Sequence, residues 1–379
     1  MIMPAFNLKH LEEFVPAFDS HASTLINKFY KLCHEDYVSI LPPVTLCTLD
    51  IIAGIGCGRE CHGDPARCPT WQGDSVRPFH QAVIRQRKEE ILQRKDEDTE
   101  DSTRLLLDLL LHFHIHEKSL TEDDIREEVD TFMFATDVDV QGHDTSALGI
   151  GWALYNIGLY PEIQARLHEE IDAIFQGDLL RPVTPEDVKE MKYLECVLKV
   201  NVPSCVTPVS NLLMSRSPND STQLFPSSAA SQTASCKSRH IEREREREYI
   251  FTRCITHVVP GHGGYTLPKG CTCFLFTYML HRNPEVYPEP EKFDPDRFLP
   301  ENCLSRHPFA YLPFSAGPRN CLGQKFAMLE MKTVVANILR NFTWETLDPP
   351  DRIHLVAELV LRPVEELRLR MRPRQTPPS

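Results

Sequence analysis

The stretch PFSAGPRNCLG, residues 313–323, decides how this chain is read. It sets one cysteine, Cys321, among two glycines, an arginine and two prolines. A cysteine that binds a metal does so as a thiolate, which needs help to stay deprotonated. The residues that follow, CLGQKFAMLEMKTVVANILRNF (321–342), predict a long amphipathic helix starting at the cysteine. A helix start offers free N–H groups and the positive end of a dipole. Gly317 and Gly323 allow a tight turn and the close approach of a flat partner. Arg319 can pair with an anionic group on that partner, and Phe314 can shield the sulfur from water. A buried thiol near a helix start is the plainer alternative. It explains the apolar neighbours but not Gly-Pro-Arg before the cysteine and Leu-Gly after it.

Working outward, the 379 residues suffice for one large domain or two ordinary ones, and 41% hydrophobic with 25% charged residues is ordinary globular usage. A net charge of -13 argues against nucleic acid as the main partner, which needs a concentrated basic face. Thirteen cysteines, an odd number without a regular framework, read as mostly reduced thiols. The cluster GCGRECHGDPARC, with Cys57, Cys61, His62 and Cys68, lacks the CxxC pairs of structural zinc. No signal peptide and no apolar run of membrane-spanning length is present. The opening MIMPAFNLKHLEEFVPAF already has helical spacing, the pattern expected of the remainder of a longer chain.

Helical periodicity predicts helices over 8–31 and 79–95. TEDDIREEVDTFMFA (121–135) opens with a threonine cap and three acids, followed by an apolar stripe. TDVDVQ (136–141) interrupts it before GHDTSALGIGWALYNIGLY (142–160) resumes an apolar helix. Pro161 starts another helix, and TPEDVKEMKYLECVLK (184–199) carries a cap and an acidic first turn. From Val200 the composition turns Ser/Thr/Pro-rich and ends in IEREREREYI, a solvated charged repeat with Glu–Arg pairs three apart. GGYTLPKGCTCFLFTYML (263–280) predicts a short hairpin and a buried segment, and 353–371 a terminal hairpin.

FSAGPRNCLG fits the haem-ligand loop of cytochromes P-450, FxxGxRxCxG, at every fixed position, and the chain resembles that family. The resemblance implies a mainly α fold with minor β: a haem-thiolate helical domain plus small sheets, incomplete at its N-terminus. It implies that Cys321 is the axial thiolate and metal ligand, and that Arg319 meets a haem propionate. Phe314, Gly317 and Gly323 complete the cofactor loop. In GHDTS, Asp144 and Thr145 match the acid–alcohol pair that delivers protons during oxygen activation. EEVDTFMF followed by GHDTS resembles the eukaryotic microsomal family 4, whose members hydroxylate fatty acids and related lipids. The implied activity is a haem-thiolate monooxygenase acting on a lipophilic substrate with O2. Electrons come from NADPH through cytochrome P-450 reductase, with cytochrome b5 as a further donor. The implied location is the endoplasmic reticulum membrane, or a cytoplasmic or peripheral one for a chain without an N-terminal anchor. Lys325 and Lys332 either dock an acidic electron donor or are solvated helix lysines.

Departures from the pattern are equally specific. Six residues at 136–141 would rotate a continuous helix by about 600° unless they loop out. Ala135 or Gln141 replaces the glutamate that forms a haem ester in some family 4 members, so no covalent link is expected. FDPDRF (293–298) matches the meander arginine, here Arg297, but its ExxR partners are replaced by Val200 and Pro203. Arg297 is therefore expected to lack its structural partners, and Glu242–Arg245 in the charged repeat is accidental. One partial domain spanning 1–379, with an insert at 200–255 unlike the family, is the expected organisation. The insert has the character of translated non-coding sequence. The alternative function is a non-catalytic haem-binding remnant lacking the ExxR network and the substrate-access helices; a thiol or zinc protein built on 57–68 is the third reading.

Overall fold

The computed structural model describes residues 11–57, 76–93, 106–133, 142–205, 252–254, 259–260, 266–267, 272–274, 277–317, 320–357 and 360–374. The described elements are mainly helical, with small antiparallel sheets, the class expected.

The first helices follow their apolar spacing. α1 (Val15–Leu32) buries Val15, Phe18, Ala22, Leu25, Ile26 and Phe29, an i, i+3/i+4 stripe. A short strand, β1 (Val38–Ser39), precedes α2 (Leu41–Cys57), and α3 (Val76–Gln93) and α4 (Leu106–His112) follow. α5 (Glu122–Met133) starts from a reciprocal cap: Asp124 N–H donates to Thr121 Oγ1 at 3.1 Å, and Thr121 N–H donates to Asp124 Oδ2 at 2.8 Å. α2, α3, α4 and α5 share a smaller core of Ile52, Val83, Leu107, Ile125 and Val129. Beside it Arg87 grips the buried Asp108 through two bonds of 2.6 and 2.8 Å.

The main core lies around α6 (Gly142–Leu159) and a late helix, α12 (Gln324–Asn341). α7 (Pro161–Phe175) begins at its proline. The helix expected over 184–199 is two: α8 (Pro185–Glu190), with a Thr184–Asp187 capping box, and α9 (Lys192–Cys205). Helical backbone thus continues through Cys205, past the change of composition at Val200. α10 (Thr277–Leu280) and α11 (Pro300–Cys303) frame the proline-dense meander.

Around 252–274 the strands are β2 (Thr252–Cys254), β3 (Val259–Pro260), β4 (Thr266–Leu267) and β5 (Thr272–Phe274). β2 pairs antiparallel with β5, and β3 with β4. The hairpin expected within 263–280 therefore folds back on residues before it, one arm lying in the stretch expected to be insert. β6 (Phe342–Thr346) and β1 flank β9 (Arg368–Pro373) in a three-stranded sheet, with Trp344 opposite Met371 and Val38 opposite Leu369. β7 (Leu355–Ala357) and β8 (Leu361–Pro363) make the late hairpin. The final strand leaves it to close the sheet.

α12 departs most from expectation. It begins at Gln324, three residues after the cysteine, and buries Glu330, Lys332, Thr333, Asn337, Arg340 and Asn341 beside its apolar residues. With α1, α6, α7 and α9 packed around it, α12 is buried on all sides rather than along one stripe. The interruption at 136–141 and the Cys61, His62 and Cys68 positions lie outside the described residues; Cys57 ends α2.

Candidate functional site

Cys321 stands in the loop that feeds α12. Its N–H donates to the Phe314 carbonyl at 2.9 Å, closing the loop on itself. Gly317 takes φ +87°, where a side chain is strained, so the glycine has a backbone reason to be there. Ser315 has φ +61° in the same turn. Gly323 differs from expectation: its φ of -79° suits any residue. A Cβ there would lie 3.9 Å from Cys321 Sγ, an ordinary contact. Phe314 is half-buried against the main core, and Arg319 lies outside the described residues.

The thiol is open to solvent on one side and backed by protein on the other. Burial raises its pKa overall, and the backbone N–H groups of Gly323 and Gln324 oppose that rise without cancelling it. Gly323 caps α12 and Gln324 opens it, and the Gln324 N–H also donates to the Cys321 carbonyl at 3.4 Å. The loop thus sets backbone N–H groups beside the sulfur, but burial outweighs them and favours the neutral thiol unless a cation is bound.

Asp144 and Thr145 sit in the first turn of α6, both half-buried. Asp144 Oδ2 accepts from Arg362 Nη2 of β8 at 3.1 Å, and His143 Nε2 lies 3.6 Å from Oδ1. Burial lowers the His143 pKa, with Arg362 adding to that and Asp144 opposing it. The His143 carbonyl accepts from Thr48 Oγ1 at 3.0 Å, tying this turn to α2.

The next residue, Ser146, hydrogen-bonds Glu330, which is 1% exposed. Burial pushes the Glu330 carboxyl up to about 8. Gly149 faces Met331, whose Sδ would lie 2.7 Å from a Cβ on that glycine. The contacts of Ser146 and Gly149 bind α6 to α12, so the cysteine loop and the acid–alcohol turn hang on one helix pair. Glu330 was missed from sequence, although its spacing marked it: Phe326 and Val334 are buried four residues to either side. Arg362 carried no local signal.

Lys332 fits neither sequence reading. It is 5% exposed and donates to Glu195 Oε2 at 2.8 Å and the Val188 carbonyl at 2.9 Å. Burial works against the Glu195 charge, but bonds from Lys199 and Lys332 outweigh it and hold the carboxyl below its ordinary value. Arg297 has no carboxylate within ion-pair distance among the described residues, yet its guanidinium donates to the carbonyls of Pro288, Glu289 and Lys292 at 2.5–3.1 Å. Backbone oxygens of the meander have taken over as its partners.

No group of three or more His, Cys, Asp or Glu residues suited to hold a metal occurs among the described residues. Nor is any described helix long and apolar enough to cross a membrane.

Comparison with known proteins matches the cytochrome P450 family over residues 68–199 and 252–369. The chain is 35% identical to cytochrome P450 4c3 of Drosophila melanogaster, over 99% of this chain and 71% of that protein. It is 34% identical to cytochrome P450 4V2 of Rattus norvegicus, over 96% of this chain and 69% of that protein. The Mus musculus protein of the same name is 33% identical, with the same coverage. The loop, the helix pair and these likenesses agree, and the chain belongs to the cytochrome P450 monooxygenase family, with family 4 relatives.

Proposed function

We propose that this chain is a haem-thiolate monooxygenase that hydroxylates a lipophilic, fatty-acid-like substrate, with Cys321 as the axial ligand. Family membership implies a haem-thiolate cofactor and a redox partner. The observation that carries the reading is the FSAGPRNCLG loop, which turns at Gly317, bonds the Cys321 N–H to the Phe314 carbonyl at 2.9 Å and sets Cys321 just ahead of α12. When bound, haem supplies the activation of O2, with one oxygen atom entering a C–H bond and the other leaving as water.

The residues of the chain have separate tasks. Gly317 makes the turn, and Phe314 fixes the loop through its carbonyl. Arg319 is proposed to meet a propionate. Asp144 and Thr145 are proposed to pass protons, with Arg362 orienting the Asp144 carboxylate. NADPH–cytochrome P450 reductase and cytochrome b5 are the proposed electron donors, and the endoplasmic reticulum membrane the proposed location. Residues 1–379 are read as one partial domain interrupted by an insert at 200–255. The gap in the family match between Lys199 and Thr252 supports the insert. Helix α9 and strand β2 reach into it from either side.

A second reading, a haem-binding remnant without turnover, is favoured by Val200 and Pro203 in the ExxR positions. Expression of the full chain with a haem precursor, followed by reduction and CO, separates the two. A thiolate-type red-shifted Soret band that disappears in Cys321→Ser, with turnover of a fatty acid by added reductase, supports the enzyme. A thiolate band without turnover supports the remnant, and no haem uptake refutes both. Digestion that released a haem-linked peptide would overturn the expectation of non-covalent haem.

A further inference from the structure

We propose that a cavity between the C-terminal half of α6 and the meander is a binding site for a small aromatic carboxylate. The cavity, partly open to solvent, has a volume of about 260 Å³ and is lined by neither the Cys321 loop nor the Asp144–Thr145 turn. Its size falls just under the ~300–1,000 Å³ usual for small-molecule sites, enough for one ring and an acid group.

Aromatic rings form much of the wall. Tyr160 and Phe293 stack at 5.5 Å and 19°, Phe298 and Tyr311 meet at 4.7 Å, and Trp152 and Tyr278 also line the space. Such walls suit a flat apolar body.

The charge is lopsided. Arg282, Lys292 and Arg297 line the cavity against a single acid, Glu291. Glu291 is already engaged, accepting from Arg282 Nε at 3.0 Å. In a chain of net charge -13, a pocket with an excess of cations marks a preference for anions.

Arg297 is the anchor. Three bonds to meander carbonyls fix its guanidinium, but carbonyls do not neutralise it. A guanidinium has five N–H donors in a planar fork, so further donors remain for a carboxylate without rearrangement. Two wall residues carry unpaired donors, turned away from the cavity surface. Trp152 Nε1 and His281 Nδ1 are buried with no acceptor among the described residues. His281 Nε2 accepts from Leu312 N–H at 2.8 Å, which assigns the ring proton to Nδ1. A wall with excess cations and unused guanidinium donors selects a group that only accepts, and an ionised carboxylate is such a group.

Val200 stands in the same wall, so a carboxylate placed there should compete with a ligand from within the chain.

Calorimetric titration of the full chain with benzoate, and with benzamide as its uncharged counterpart, tests this. Benzoate is expected to bind saturably, raise the unfolding midpoint with concentration, and bind about tenfold or more tighter than benzamide. Arg297→Gln should weaken benzoate about tenfold or more, with Arg297→Lys between the two. Val200→Glu should also weaken it, which decides the matter where Arg297→Gln does not fold. Absent or non-saturable benzoate binding, equal affinity for benzamide, or unchanged affinity in the folded variants overturns the proposal.

Discussion

Replacing Glu330 with glutamine should stabilise this protein at neutral pH, although the residue lies in the main core. The side chain is 1% exposed on α12, and burial moves its pKa from 4.5 to about 8 against an opposing bond from Ser146. Cys47 lies close by and is pushed up by burial and by the charges of Glu330 and Asp50, so it stays a neutral thiol. Between pH 4.5 and 8 the folded state keeps a proton that the unfolded state has released. Stability therefore falls as pH rises through that window and levels off above it. Each pH unit in the window costs about 1.4 kcal/mol, so by pH 7 the accumulated cost is roughly 3 kcal/mol. Glutamine has the same shape and can still bond Ser146, but it has no proton to retain or lose. Glu330→Gln should thus gain up to about 3 kcal/mol at pH 7 and little near pH 4.5. Urea unfolding of both proteins at intervals from pH 4.5 to 8.5 reads this directly. Parallel stability curves, or a variant less stable than the parent at pH 8, would refute the assignment of a protonated Glu330.

Gly158→Ala should cost about 1–3 kcal/mol in denaturant unfolding, because its Cβ would meet Thr346 Oγ1, Trp344 Cδ1 at 2.8 Å and the Thr346 backbone N at 3.0 Å. Gly149→Ala should be milder, since it meets only the flexible end of Met331; equal costs would refute the distinction. Glu195→Ala should cost roughly 3 kcal/mol by leaving the Lys332 ammonium buried with one carbonyl partner, whereas Lys332→Met should cost much less. The reverse order in thermal unfolding would exclude a paired Lys332. Asp144→Asn and Thr145→Ala should each lower turnover about 100-fold while leaving the thiolate Soret band in place. Unchanged turnover would remove them from the proton path.

What the sequence disclosed was written over short spans. The boxes at Thr121 and Thr184 close over three residues, and each was legible because donor and acceptor are near neighbours. The same holds for the cysteine loop, whose turn, thiol and helix start lie within a dozen residues. What stayed hidden joins distant segments. Arg362 reaches Asp144 across 218 positions, and Lys332 reaches Glu195 across 137. Composition misled where tertiary packing overrode it: the polar residues of α12 suggest an outer face, yet four neighbouring helices cover them. Strand β2 was hidden by its position at the end of a low-complexity run, since a three-residue strand is defined by its partner.

Arg297 shows why loss of a motif need not mean loss of the structure around it. Removing one member of a buried ion pair ordinarily costs about 3–5 kcal/mol, because the remaining charge is stranded. By the family resemblance Val200 stands at the carboxylate position, but the guanidinium is only half-buried and bonded to three carbonyls of its own meander. Those carbonyls offset most of the penalty, so the meander does not depend on the absent glutamate to stay folded. Restoring it with Val200→Glu should therefore gain only about 1 kcal/mol, the usual worth of an added hydrogen bond. A gain above about 3 kcal/mol in urea unfolding would mean that Arg297 is stranded after all. The small gain would place the consequence of the substitution in the chemistry of the cavity, where a fixed cation faces no carboxylate of its own, rather than in the stability of the fold.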